Sequence, residues 1–393
     1  MSMESRTGNG WSEEIEELRR RGLFRIMPRM DGIPGRTGTV NGKPVLNFSS
    51  NNYLGLAGHP AVIQASVESV QRYGAGSTAS RLIAGNSEAH RDLEEFIAHW
   101  KGTEAALVFG SGYQANLGLL SSLAGAPDLV VSDRLNHASI IDGCRLSRAQ
   151  VKVYAHLDLD GAEDALKADG FRRKLVVTES VFSMDGDHAP LRELHDLCTR
   201  YGALLMVDEA HAAGVHGSRG QGLAEEAGIK PDMQMGTLGK AAGTSGAYVA
   251  GRRDLIDLLV NKARSFIYTT ALPPAVMGGA AAALRIISSE EGAVRRARLK
   301  ENSEMFQDLM NGRFRNRNRP SHIVPVHVGQ SERTMKVSAE CTERGVFAHG
   351  IRYPTVPEGT ARLRFTLMSD HTEEDLRRAA LVVKEALDAI PEE

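Results

Sequence analysis

Lys240, Asp208 and His211 are the residues of this chain whose types and spacing could do chemistry. Lys240 closes the run Thr237-Leu-Gly-Lys and is followed by Ala241-Ala-Gly-Thr-Ser-Gly-Ala, with no acidic neighbour. An ammonium crowded by backbone and starved of water loses solvation, and its pKa falls. A lysine that is neutral part of the time is a nucleophile able to form a Schiff base with an aldehyde. Taken alone, the same residues also fit a surface lysine in a glycine-rich loop. Upstream, Leu204-Leu-Met-Val-Asp208-Glu-Ala-His211 reads as a buried parallel strand with a carboxylate at its carboxyl end. Open α/β sheets bind their ligands at that end.

A carboxylate there, a histidine three residues on and a lysine beyond suit pyridoxal 5'-phosphate. The lysine takes the aldehyde. The aspartate keeps the pyridine nitrogen protonated, so that the ring acts as an electron sink. Asp208 also fits a helix N-cap or a metal ligand. No second carboxylate or histidine pair stands at ligand spacing, since His211 and His216 lie five apart and no HExxH occurs.

The elements that must position these groups alternate strand and helix. Strands are expected at 45–50, 105–109, 129–133, 151–154, 174–179 and 204–208, with helices at 60–73, 86–101, 112–123 and 191–201. This alternation argues a largely parallel, doubly wound sheet. Gly110-Ser-Gly-Tyr-Gln-Ala-Asn stands between a strand and a helix, where backbone N–H groups and the helix dipole can meet a phosphate. It equally fits an ordinary turn. His137 opens a helix and could stack on an aromatic cofactor or simply be structural. Gly74-Ala-Gly-Ser-Thr-Ala matches a dinucleotide fingerprint, but no strand precedes it, so a glycine-rich loop approached by substrate is expected instead.

Later, Gly246-Ala-Tyr-Val-Ala-Gly reads as an antiparallel or edge strand. Helices follow at 252–264 and, as one long segment, at 275–310. Strands at 322–328 and 361–367 with helices at 332–344 and 372–389 make a small α+β unit. Arg362 and Arg364 alternate onto one face of a strand, where a buried guanidinium needs an anion: a substrate carboxylate or a salt bridge. The expected division is 1–45 as N-terminal helix and connector, 46–288 as the large cofactor-binding domain and 289–393 as the small domain.

Composition narrows the class. The chain has 393 residues, 42% hydrophobic and 24% charged, as in a globular protein with a sizeable core. A formal net charge of -2 gives no reason to expect nucleic acid or an anionic membrane as partner. Three scattered cysteines fit a reducing cytoplasmic compartment and neither a disulfide framework nor a zinc site. The polar start Met1-Ser-Met-Glu-Ser-Arg has no apolar run of a signal peptide, and no 18-residue apolar run occurs.

Eight motifs stand in order: Ser50-Asn-Asn-Tyr-Leu-Gly, Ser80-Arg-Leu-Ile-Ala-Gly-Asn, Gly112-Tyr-Gln-Ala-Asn, Asp133-Arg-Leu-Asn-His-Ala-Ser, Val181-Phe-Ser-Met-Asp-Gly-Asp, Val207-Asp-Glu-Ala-His, Thr237-Leu-Gly-Lys and Pro354-Thr-Val-Pro. Together they resemble the α-oxoamine synthases over residues 20–389. That resemblance implies a fold-type I, aspartate-aminotransferase-like α/β enzyme, a homodimer with sites at the subunit interface, that joins an amino acid to an acyl thioester with loss of carbon dioxide.

Position by position, it implies that Lys240 holds the cofactor aldehyde and acts as acid and base at Cα. Asp208 meets the pyridine nitrogen, and His137 stacks on the ring. His211 and Ser183 bond the phenolic oxygen. Gly112, Tyr113 and Thr237 hold the phosphate. Asn51 and Arg364 meet the substrate carboxylate, and Arg25 and Thr355 the acyl substrate. Ala241-Ala-Gly-Thr departs from relatives that carry bulkier residues there. Ser80 stands where glycine-using relatives carry threonine. The smaller side chain leaves room for a methyl group, a preference of about 1–3 kcal/mol. L-Alanine with a pimeloyl thioester, on coenzyme A or acyl carrier protein, is therefore the expected pair. Sister reactions of glycine with a short acyl-CoA, and an aminotransferase of the same fold, are the alternatives.

Overall fold

The computed structural model describes residues 10–310 and 321–392; the polar start at 1–6 lies outside them. A seven-stranded sheet organises the large lobe. Its spatial order is Ala105–Phe109, Ala247–Gly251, Met233–Thr237, Leu204–Asp208, Arg173–Glu179, Asp128–Asp133 and Gln150–Tyr154. The five strands from Met233–Thr237 to Gln150–Tyr154 run parallel. Their centres are unbroken apolar runs such as Leu129-Val-Val and Leu205-Met-Val, buried as strands covered on both faces must be.

Ala247–Gly251 is antiparallel to both neighbours and lies inside the sheet, between Ala105–Phe109 and Met233–Thr237, so the edge alternative is corrected. Its small and apolar residues Ala247, Val249 and Ala250 are fully buried. The segment expected as one helix from 275 to 310 is two, Pro274–Ile287 and Glu290–Leu309. The break falls at Ser288 and Ser289, whose hydroxyls bond back to the preceding turn and compete with helix propagation.

The second lobe carries a three-stranded antiparallel sheet of Ile323–Gly329, Ala361–Thr366 and Gly350–Ile351, with helices Ser331–Glu343 and Glu373–Ala389. The last helix starts on a capping box between Thr372 and Asp375, and Asp375 also pairs with Arg36 at 2.6 Å. Strand Lys43–Asn47 pairs in parallel with Val346–Phe347, so the start of the chain is tied to its late residues. Phe48 then packs against Phe306, Phe365 and His371. One continuous apolar core thus runs from Trp100 and Tyr248 to Leu363 and Leu376. Each such fully buried side chain contributes about 1.5–3 kcal/mol against exposure. Among the described residues no helix is long and apolar enough to cross a membrane.

Candidate active site

Parallel pairing sets the floor of the site. Asp208 is in register with Glu179 on one side and with Met235 on the other. Two carboxylates therefore end neighbouring strands on the same face, both buried. The chain then turns after Met233–Thr237 and brings Lys240 back over that end. A cavity of about 200 Å³ results, walled by Gly112, Tyr113, Asn116, His137, Glu179, Asp208, His211, Thr237 and Lys240 among others.

Two helices begin at this cavity. Gly112–Leu123 is capped by Ser111, whose hydroxyl accepts from Gln114 N at 3.2 Å. Ala138–Ser147 is capped by His137, whose Nδ1 accepts from Ser139 N at 3.2 Å. Their free N–H groups and positive dipole ends suit an anion such as a phosphate. Tyr113 is exposed at the mouth, its hydroxyl donating to Asp142, which raises the phenol's pKa. Thr237 spends its hydroxyl nearby, donating to Gly246 O at 3.1 Å and accepting from Gly239 N at 3.1 Å.

The charges explain one another. Burial lowers the Lys240 ammonium to about pH 8, against the pull of Asp208 and Glu179 and with help from the Arg364 charge. The sequence neighbourhood of Lys240 is free of acids; the fold supplies two. Burial raises Asp208 above the usual carboxylate range, although Asn116 Nδ2 and Ala210 N donate to it, each at 2.9 Å. Burial and the neighbouring Asp208 raise Glu179 well above its usual range. Burial holds His137 and, more strongly, His211 below the ordinary imidazole value, and the Lys240 charge adds to this.

Pyridoxal phosphate fits this donor set. A buried, cation-seeking carboxylate is what a protonated pyridine nitrogen requires, and a desolvated lysine is what an aldehyde requires. Glu179 Oε1 and Asn116 Oδ1 are buried at the cavity wall with no hydrogen-bond partner among the described residues. Orphaned polar atoms of this kind mark a place built for a polar guest.

The remaining expected residues divide. His211 Nε2 stands 2.8 Å from Lys240 Nζ, and its Nδ1 meets Tyr53 Oη at 2.6 Å. Arg364 donates to Asn51 Oδ1 at 3.1 Å, Thr366 Oγ1 at 2.9 Å and the Ser183 carbonyl at 2.6 Å. Asn51, Ser183 and Arg364 are thus one cluster, joined to Lys240 through Tyr53 and His211. Arg364 has no carboxylate among these partners, whereas Arg362 pairs with Asp185. The two arginines share a strand, but among the described residues Arg362 has a carboxylate partner and Arg364 has none.

Arg25 and Thr355 are exposed and gather around Arg352, which donates to Phe24 O and accepts from Thr355 N. Ser80 bridges Thr270 in a separate loop pair. None of these three lines the cavity. Sequence reasoning assigned no role to Asn116, Glu179 or Tyr53. Asn116 and Tyr53 stand inside motifs that were read, and Glu179 ends an expected strand. Only strand order reveals that this end lies beside Asp208.

A family model for class I and II aminotransferases matches residues 43–383. The 8-amino-7-oxononanoate synthase of Geobacter metallireducens is 51% identical over 377 residues, covering 95% of this chain and 96% of that one. A Sphingomonas wittichii serine palmitoyltransferase superposes with a TM-score of 0.90 at 31% identity, covering 97% and 98% of the two chains. An 8-amino-7-oxononanoate synthase from Francisella tularensis superposes with a TM-score of 0.75 at 29% identity over 88% of this chain and 98% of that one.

Proposed function

The chain belongs to the class I and II aminotransferase family and, within it, to the α-oxoamine synthases, and on that premise we propose that it condenses L-alanine with a pimeloyl thioester. The products are 8-amino-7-oxononanoate, carbon dioxide and the free thiol, a step of biotin synthesis. The observation that carries the reading is the convergence of Lys240, Asp208 and His211 on one cavity beside an unneutralised Arg364. Full-length identity to a synthase of that product supports the choice of substrates.

Pyridoxal phosphate, when bound, supplies an aldehyde for amines and a protonated ring that stores the electron pair released at Cα. Lys240 would hold that aldehyde, and its free amine would move the proton at Cα. Its depressed pKa lets it act as a base near neutral pH. Asp208 keeps the ring nitrogen protonated, and Asn116 holds Asp208 in orientation. His137 would cover one ring face, and His211 with Ser183 would bond the phenolic oxygen. Gly112, Tyr113 and Thr237 flank the phosphate, chiefly through backbone N–H groups at the helix start. Arg364 and Asn51 would take the amino acid carboxylate, and Arg25 and Thr355 the acyl substrate. Ser80 limits the amino acid side chain. The active unit is a homodimer. The three cysteines are buried free thiols, which suits a cytoplasmic enzyme.

Thiol release measured for alanine, glycine and serine against pimeloyl, acetyl, succinyl and palmitoyl coenzyme A tests the reading. Release confined to alanine with pimeloyl-CoA is expected. Release with glycine and a short acyl group would move the enzyme to a sister reaction. Amino-group exchange without thiol release would make it an aminotransferase.

A further inference from the structure

Arg364, Asn51, Tyr53, His211 and Lys240 form one unbroken hydrogen-bonded line from the carboxylate pocket to the lysine. Donor and acceptor chemistry gives the line a direction. A guanidinium can only donate, so the Asn51 atom 3.1 Å from Arg364 is the amide oxygen. That oxygen can only accept, so the Tyr53 hydroxyl, also 3.1 Å away, gives it its single proton. With that proton spent, the Tyr53 oxygen meets His211 Nδ1 at 2.6 Å as an acceptor. Nδ1 therefore carries the ring hydrogen. In a neutral imidazole Nε2 then keeps its lone pair, and Lys240 Nζ donates to it across 2.8 Å.

We propose that Tyr53 is a positioning residue that fixes His211 as the Nδ1–H tautomer, so that its Nε2 is the acceptor facing Lys240. Two features reinforce this. Burial pushes the Tyr53 phenol up to about 12, so it stays protonated, and burial keeps His211 neutral. Tyr53 is fully buried, its ring edge-on to His322 at 4.3 Å, and cannot swing away. Without the Asn51 oxygen, the Tyr53 proton would turn to Nδ1 and the ring would become Nε2–H. Nε2 would take the proton of the facing Lys240 ammonium, and the proton released at Nδ1 would return through solvent to the lysine, with no net change of charge on either group. A substrate carboxylate that draws Arg364 from Asn51 thus acts on the tautomer at the lysine. The hydrogen-bond argument stands without the cofactor; its link to turnover rests on the functional reading above.

The test is nitrogen NMR of the cofactor-free full chain carrying ¹⁵N-histidine, with the His211 signals identified by their loss in His211→Gln. The wild type should show a protonated Nδ1 and a bare Nε2. Tyr53→Phe and, independently, Asn51→Ala should shift the ring toward Nε2–H, while Asn51→Asp, which still accepts, should keep Nδ1–H. In the loaded enzyme Tyr53→Phe should lower kcat about tenfold and displace the alkaline limb of the pH profile. A wild-type Nε2–H ring, a tautomer unchanged in both Tyr53→Phe and Asn51→Ala, or a loss confined to KM would overturn the proposal. The NMR result is read without turnover, so its failure is distinct from failure of the thiol-release test.

Discussion

Lys240 owes its depressed pKa to desolvation, moderated by the acids that surround it. Burial alone would make it a weak base; Asp208 and Glu179 moderate that effect and leave its pKa at about 8. Replacing Lys240 with Ala should lower thiol release at least about 1000-fold, since both the aldehyde anchor and the proton carrier disappear. The visible absorbance of the bound cofactor should change with it. An active Lys240→Ala variant would remove this residue from the chemistry. Lys240 and Asp208 were legible because a lysine among small residues and an acid ending an apolar run are local patterns. Glu179 was not, because its importance comes from being in register with Asp208 across a strand pair.

The loop of residues 180–187 joins the Glu179 strand to the following helix. It is held at both ends of its span. Arg362 binds Asp185 and Arg364 binds the Ser183 carbonyl from the small lobe. From the large lobe, His156 sits between Asp133 and Asp187, at 2.9 Å from each, with Phe182 edge-on to its ring. Burial would lower the His156 pKa, but the two carboxylates outweigh it and raise the value from 6.5 to about 9. A raised folded pKa means that this stability is complete below about pH 6.5 and is lost as pH climbs through about 9. Thermal melts of wild type and His156→Asn across that window should therefore differ most at pH 6.5 and converge above 9. A constant gap would show that the pair does not titrate with folding. Helix 275–310 is the corresponding miss at this scale. Its composition is helical throughout, and only the serine back-bonds at 288–289 divide it.

At the scale of the molecule, one protomer leaves part of the expected site outside its own cavity. Ser80 lies in a loop tied to residues 269–272, through Ser77 to Leu272 O at 2.6 Å and Ala271 N to Ala79 O at 3.0 Å. It does not line the cavity that holds Lys240. A homodimer with its sites at the subunit interface would let this loop complete the partner's site. Mixed dimers of Lys240→Ala with Ser80→Arg should then regain thiol release that neither parent homodimer has. Mixtures that stay inactive, with dimers confirmed by sedimentation, would return Ser80 to a purely local role.

With His137 added by the family resemblance, the sequence by itself determined the strand and helix alternation and singled out Lys240, Asp208 and His211 as a set suited to pyridoxal phosphate. Those follow from local rules: burial periodicity, a carboxylate at a strand end, a lysine without neighbours to solvate it. Tertiary structure alone decided that Ala247–Gly251 is interior, that Glu179 flanks Asp208, and that Arg362 is neutralised while Arg364 is not. It also decided that Tyr53 links Asn51 and Arg364 to His211 and the lysine. The physical reason is common to all four. Each depends on which strand or loop lies beside which, and partners brought together by strand order or chain folding, from 29 residues apart for Glu179 and Asp208 to 177 for Asp185 and Arg362, show no spacing that a sequence displays.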